Sequence, residues 1–194
     1  MQDDDSIIAA PARQPRRFLP WIAIIVVSML VAIGLRVFVV QTFYVPSGSM
    51  IPTLLPGDRI LVQKIGYSVT EGAIVVFKTP PGYQPQDCGG TEESDLVKRV
   101  VGLPGDTIWS GTGANVNTVY IDGQPLPEPY LPKGTGLGAP IPKQTIPAGE
   151  YFMMGDNRSV SCDSRVWGLV PRSDIVGRVF LVVWRNGRPD FHSI

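Results

Sequence analysis

The sequence predicts a mostly β protein, with one N-terminal transmembrane helix followed by an antiparallel β-domain. Three observations carry this. Residues 18–35 form the only long uncharged apolar run, near the minimum for a membrane-spanning helix. Beyond residue 41 the apolar residues come in short β-branched runs bounded by Gly, Pro and Asp, the pattern of strands and turns. The 21 glycines and 19 prolines are dispersed along the chain, which suits many short strands better than a helical bundle.

Residues 1–15 are polar, with Asp3, Asp4 and Asp5 and two prolines, and read as a disordered cytoplasmic tail. Residues 16–40 read as the span. Arg13, Arg16 and Arg17 precede the apolar run, which predicts an N-terminus inside the cell and the remainder outside. Arg36 near the far end can carry its guanidinium to the interface. A cleaved secretory signal is the rival reading; the run is long for that, and no small-residue cleavage site follows promptly.

Residues 41–194 form the β-domain. Strands are expected at 59–64, after the turn Pro56-Gly57-Asp58, and at 73–77, before Pro80-Pro81. Others are expected at 95–101, 107–109, 150–154 and 175–184. Asp122-Gly123 between 119–121 and 124–126 predicts a hairpin with a type I′ turn. Residues 127–147 are rich in Pro and Gly and read as a surface excursion. No soluble helix with a helical period is expected.

Lys+Arg and Asp+Glu both number 17, so no net charge points to nucleic acid. Cys88 and Cys162 are far apart, with no CxxC pair and no ligand-spaced Cys/His set, so neither a zinc site nor another metal is expected. Two free thiols and a bridge between them both remain open; an extracytoplasmic setting permits the bridge.

The chemistry centres on Ser47-Gly48-Ser49, bracketed by Pro46 and Pro52. The glycine allows close approach to a bound chain, and the prolines stiffen the segment. Ser49 is a candidate nucleophile; a plain Ser-Gly turn is the competing reading. A serine nucleophile needs a base. The single histidine, His192, lies at what is expected to be a frayed C-terminus. The remaining base is a lysine, as in Ser-Lys variants of the triad. Lys98 lies inside an apolar strand, where alternation puts it on one face with Leu96 and Val100. Apolar neighbours disfavour an ammonium, and adjacent Arg99 acts in the same direction. Such a base must titrate at roughly pH 7–8 to work at neutral pH. The alternative is a lysine snorkelling from a sheet edge. A second polar cluster, residues 155–165, reads either as a buried network that holds a neutral lysine through a serine hydroxyl or as a solvated loop.

Four blocks, in order behind the apolar run, resemble the bacterial type I signal peptidases. They are Ser47-Gly48-Ser49-Met50-Ile51-Pro52-Thr53-Leu54, then Gly57-Asp58-Arg59-Ile60-Leu61-Val62. Next comes Lys98-Arg99-Val100-Val101-Gly102-Leu103-Pro104-Gly105-Asp106. The last is Gly155-Asp156-Asn157-Arg158 with Ser161, Asp163, Ser164 and Arg165. The resemblance implies a Ser-Lys peptidase acting through an acyl-enzyme, with Ser49 as nucleophile and Lys98 as general base. It implies Ser161 orienting the lysine and the Ser47 hydroxyl with the Ser49 N–H as oxyanion hole. Asp163, Arg165 and an Asp156–Arg99 pair would be structural, and Phe43, Val45, Pro46 and Val97 would line pockets for small side chains. Residues 107–149 are short for the family and imply a reduced accessory β-region. A bridge from Cys88 to Cys162 would pin the last block.

The expected partners are signal-peptide-bearing preproteins and the lipid bilayer, with export machinery in reach, no nucleic acid and no cofactor. The expected place is the cytoplasmic (inner) membrane, single-pass. The nine residues from Val40 to Ser49 span at most about 30 Å, which would hold the site near the lipid. Phe43, Tyr44, Ile51, Leu54 and Leu55 would either dip into the interface or fill the core. Two other readings are an anchored β-domain that binds exported chains without cutting them, and a self-cleaving Ser-Lys protease.

Overall fold

A computed structural model describes residues 19–89 and 94–194. Helix α1 is Leu19–Phe38, with described side chains at 20–34, and these are apolar and mostly exposed. Among the described residues, no helix is long and apolar enough to cross a membrane. The expected tail with Arg13, Arg16 and Arg17, and the Arg36 side chain, lie outside what is described. The helix stops at Phe38, so Val40 belongs to the first strand and not to the expected span.

The strands are β1 (Val40–Tyr44), β2 (Arg59–Gln63), β3 (Ile74–Lys78), β4 (Asp95–Gly102), β5 (Thr107–Ser110), β6 (Val119–Ile121), β7 (Gln124–Pro125), β8 (Gln144–Thr145), β9 (Glu150–Met154), β10 (Val170–Pro171), β11 (Ile175–Arg185) and β12 (Arg188–Ser193). A one-turn helix α2 spans Ser164–Trp167. The larger sheet runs β1-β2-β11-β3-β4-β9-β10, with β12 also on β11; the smaller runs β7-β6-β5-β8. Each strand pair is antiparallel.

The expected strands stand within a residue or two at each end. The Asp122-Gly123 turn has φ of 50° and 86°, the two positive values a type I′ turn requires. Two expectations fail. The C-terminus is not frayed, because β12 pairs with β11 and sets His192 opposite Val182. The 127–147 segment is not merely a surface excursion. It buries Leu137, Ile141 and Ile146 in a core cluster with Val101, Ile108, Phe152 and Met154. Single apolar residues among prolines carry no period, yet each gains about 1.5–3 kcal/mol by leaving water.

The other two clusters flank the larger sheet. One gathers Val45, Met50, Leu54, Ile60, Val62, Val76, Val179 and Val182. The second gathers Val75, Phe77, Leu96, Val100, Met153 and Trp167. Met50 and Leu54 thus anchor both sides of the segment between β1 and β2, leaving the serines ahead of them on the surface of the first cluster.

Candidate active site

Three elements converge. The β1–β2 connection brings Ser47 and Ser49, β4 brings Lys98 and Arg99, and the segment after β9 brings residues 155–165. Lys98 Nζ donates to Ser49 Oγ at 2.7 Å, with Lys98 only 3% exposed. The Ser47 and Ser49 hydroxyls are 3.3 Å apart. Strand β9 joins β4 only from Arg99, opposite Met154, so β4 runs on past the end of β9 where Lys98 meets the serine. Leu96 and Val100 enter the second core cluster, on the face that alternation assigns to Lys98.

The Ser49 segment is tied to the last polar block by its backbone. Asn157 N donates to the Ser49 carbonyl at 3.0 Å, and Asn157 Nδ2 to the Gly48 carbonyl at 3.0 Å. A Cβ on Gly155 would clash with both Ser161 Oγ and the Ser49 carbonyl oxygen. The absence of a side chain there is what lets Ser161 and Ser49 close on one point. Ser161 is buried and donates a long 3.5 Å hydrogen bond to the Cys162 carbonyl.

Behind the site, Arg99 and Asp156 form a two-point pair, Nε to Oδ1 at 2.8 Å and Nη2 to Oδ2 at 2.6 Å. Thr53 Oγ1 donates to Asp156 Oδ2 at 2.5 Å, which links the pair to the Ser49 segment. The Tyr130 ring covers the Arg99 guanidinium, 3.8 Å from its centroid, an attractive cation–π placement. Tyr130 donates to Glu128 at 2.9 Å, and Glu128 pairs with buried Arg158. Burial first, then the charge of Glu128, holds the Tyr130 phenol above its ordinary range. Burial works against the Arg158 cation, but hydrogen bonding and charge from Glu128 outweigh it and raise its pKa.

Asp163 caps α2 by accepting from Arg165 N, binds the Arg165 side chain at 2.7 and 2.6 Å, and accepts from Gly155 N at 3.0 Å. Cys88 and Cys162 form a disulfide with Cα atoms 5.4 Å apart. It joins the residue beside Ser161 to the β3–β4 connection.

A cleft of about 310 Å³ opens beside Ser49 and Lys98. Phe43, Val45, Pro46 and Val97, the residues expected to line it, all do, with Val76 and Met50 at its floor and Ser94 and Asp95 at its rim. Leu54 is fully buried, whereas Tyr44 and Ile51 are exposed. His192 stands away on β12, paired with Asp190 at 3.1 Å. Sequence reasoning singled out neither Thr53, Asn157, Glu128 nor Tyr130. Thr53 and Asn157 lay within two of the four blocks, while Glu128 and Tyr130 carried no local signal.

The arrangement can perform acyl transfer: a hydroxyl beside a buried amine, a second hydroxyl to meet developing charge, and a cleft for an extended chain. The family model described as "Signal peptidase, peptidase S26" matches residues 18–184. A probable signal peptidase I-1 from Synechocystis sp. is 39% identical over 172 residues, covering 87% of this chain and 84% of its own. A signal peptidase I from Leptolyngbya laminosa is 39% identical over 91% of this chain and 86% of its own. A signal peptidase IB from Staphylococcus aureus is 32% identical over 87% of this chain and 91% of its own.

Proposed function

The chain belongs to the bacterial type I signal peptidases, peptidase S26, and from that premise we propose that it cuts signal peptides from exported preproteins with a Ser49–Lys98 dyad beside a membrane. Membership in a family of serine peptidases sets aside the reading of a β-domain that binds without cutting. The observation that carries the dyad is the 2.7 Å contact between Lys98 Nζ and Ser49 Oγ, made by an amine that is almost wholly buried. Burial disfavours the ammonium, and a neutral amine on the same line accepts the serine proton.

In this reading the Ser49 oxygen attacks the scissile carbonyl while its proton passes to Lys98. The oxyanion meets the Ser47 hydroxyl and the Ser49 N–H. The tetrahedral adduct collapses, Lys98 returns the proton to the leaving amine, and an acyl-enzyme remains on Ser49. Water, deprotonated by Lys98, then releases the acyl group. Ser161 orients the amine; Arg99–Asp156 and Asp163–Arg165 hold the frame. Phe43, Val45, Pro46 and Val97 line the cleft beside Ser49 and in this reading receive the small side chains of an A-x-A-like site. The substrate lies extended where β4 outruns β9, adding main-chain pairing.

The membrane part of the proposal places the segment from residue 16 to the end of α1 at Phe38 in the lipid, the N-terminus in the cytoplasm and the β-domain, from β1 onward, outside. It is supported by the exposed apolar side chains of α1, Trp21 and Leu30 among them, and by exposed Ile65, which follows the Lys64 whose N–H binds the Val39 carbonyl at the helix exit. Grouped exposed apolar residues mark a surface that meets lipid or protein.

The deciding experiment incubates the full chain in detergent with a signal-bearing preprotein and reads the products by mass. Cleavage after a small residue by wild type, and none by Ser49→Ala, is the expected result. Equal cleavage by both would overturn the dyad. Resistance of the protein to alkaline carbonate extraction from membranes tests the anchor.

A further inference from the structure

Among the described residues, the cleft beside Ser49 carries one exposed carboxylate, and neither the dyad nor the small-residue pockets uses it. Asp95 opens β4 and lines the cleft together with Val97, Lys98 and Ser49. It is exposed, whereas the amine lining the cleft, Lys98, is buried. Alternation puts Asp95 on the face of β4 that carries Val97. Val97 faces Val76 across the β3–β4 ladder, and Asp95 faces Lys78. The cleft lining therefore passes from an apolar step, Val76 and Val97, to Asp95 at the rim, and Lys78 stands opposite Asp95 in the ladder. The Ser94 hydroxyl donates to Asp95 Oδ2 at 3.5 Å, so the carboxylate keeps most of its hydrogen-bonding capacity for a visitor.

The distance along the strand fixes which part of a substrate would meet it. Asp95 is three residues from Lys98, roughly 10 Å of extended chain. A chain lying where β4 outruns β9, with its scissile bond at Ser49, brings a side chain three or four residues from that bond beside Asp95. Small residues nearer the bond are handled by the apolar step.

We infer that Asp95 is a specificity-determining residue that favours basic and disfavours acidic side chains three to four residues from the scissile bond, with Lys78 moderating the effect. The inference rests on the peptidase reading and adds a charge rule to it. Exposed opposite charges at such spacing change affinity by about two- to fivefold, and the effect weakens with salt because the Debye length is about 10 Å at 0.1 M.

The test uses the full chain in detergent and a set of peptides spanning one cleavage site. Each carries Lys, Ala or Glu at one position, from four before to four after the cut. The readout is the ratio of kcat/KM for the Lys and Glu peptides at each position, which cancels any general loss of activity. Wild type should prefer Lys about two- to fivefold at three or four residues on one side. Asp95→Asn should bring that ratio near one, and Asp95→Lys should invert it. Lys78→Gln should move it the opposite way, towards a stronger preference for Lys, and 0.5 M salt should flatten all profiles. Identical ratios in wild type, Asp95→Asn and Asp95→Lys would overturn the inference while leaving cleavage, and with it the peptidase reading, intact.

Discussion

Asn157 grips the Ser49 segment from behind, its main-chain N–H on the Ser49 carbonyl and its amide nitrogen on the Gly48 carbonyl, each at 3.0 Å. The side-chain bond can be removed without disturbing the main-chain one. A neutral hydrogen bond contributes about 0.5–1.5 kcal/mol, which corresponds to a factor of about two to thirteen. Asn157→Ala should lower kcat within that range with little change in KM. Steady-state kinetics normalised to titrated active sites would check this; an unchanged kcat would mean the Gly48 carbonyl needs no support.

Lys98 is a buried amine, so its chemistry and its contribution to stability can be separated. Lys98→Met keeps the aliphatic volume and removes the charge, a change that is often neutral or stabilising in a buried site. Activity should vanish while the urea midpoint holds or rises. In wild type, kcat/KM should climb with pH along a limb set well below an ordinary lysine, because only the neutral amine accepts a proton. A rate that persists in Lys98→Met, or a profile without that limb, counts against the base assignment.

Burial, followed by the charges of Asp106 and Glu128, raises the Glu71 carboxyl above its ordinary 4.5. The folded state then binds more proton than the unfolded state between 4.5 and the raised value. Stability from this group is therefore present at acid pH and is lost as pH rises through that window. Glu71→Gln should raise Tm at pH 7, and the gain should shrink towards nothing below pH 4.5. A gain independent of pH would point to a cause other than the carboxylate.

Glu128 reaches from the 127–147 segment to Arg158, whose side chain is almost fully buried. Removing one partner of a buried pair costs about 3–5 kcal/mol. Glu128→Ala should lower unfolding free energy by about that amount, and Tyr130→Leu should act in the same direction by uncovering Arg99. Chemical denaturation of the two variants and the double variant gives the coupling. Strictly additive losses would mean that Glu128 and Tyr130 do not act together.

The Cys88–Cys162 bridge spans 74 residues. In the chain-entropy account, a loop of that size is worth about 4 kcal/mol. Cys88→Ser with Cys162→Ser should lower the urea midpoint accordingly, and reductant should destabilise wild type but not the double variant. Equal sensitivity to reductant would show that the bridge does not matter to folding.

How far the sequence could be read depended on whether a signal was local. The strands at 59–63, 74–78, 95–102 and 175–185 announce themselves because β-branched runs between turn residues have few other uses. Ser49 and Lys98 came forward because a serine without a usable histidine leaves few bases. Leu137, Ile141 and Ile146 gave no such signal: each is a lone apolar residue whose burial is decided by partners distant in the chain. Strand β12 was hidden for the same reason, since a segment with Pro189 and two charges pairs only because β11 is there to receive it. The roles of Asn157 and Thr53 depend on contacts 109 and 103 residues away, and no pattern in either neighbourhood specifies such a contact.

One residue, Val39, separates the end of α1 from the start of β1, and its carbonyl accepts from Lys64 N at 2.9 Å. A junction this short and this well tied has no slack. Any tilt of the helix must swing the sheet and the cleft with it, like a blade set rigidly in its handle. In the proposed reading, the height and angle at which a preprotein meets Ser49 would then follow the orientation of the helix as a whole.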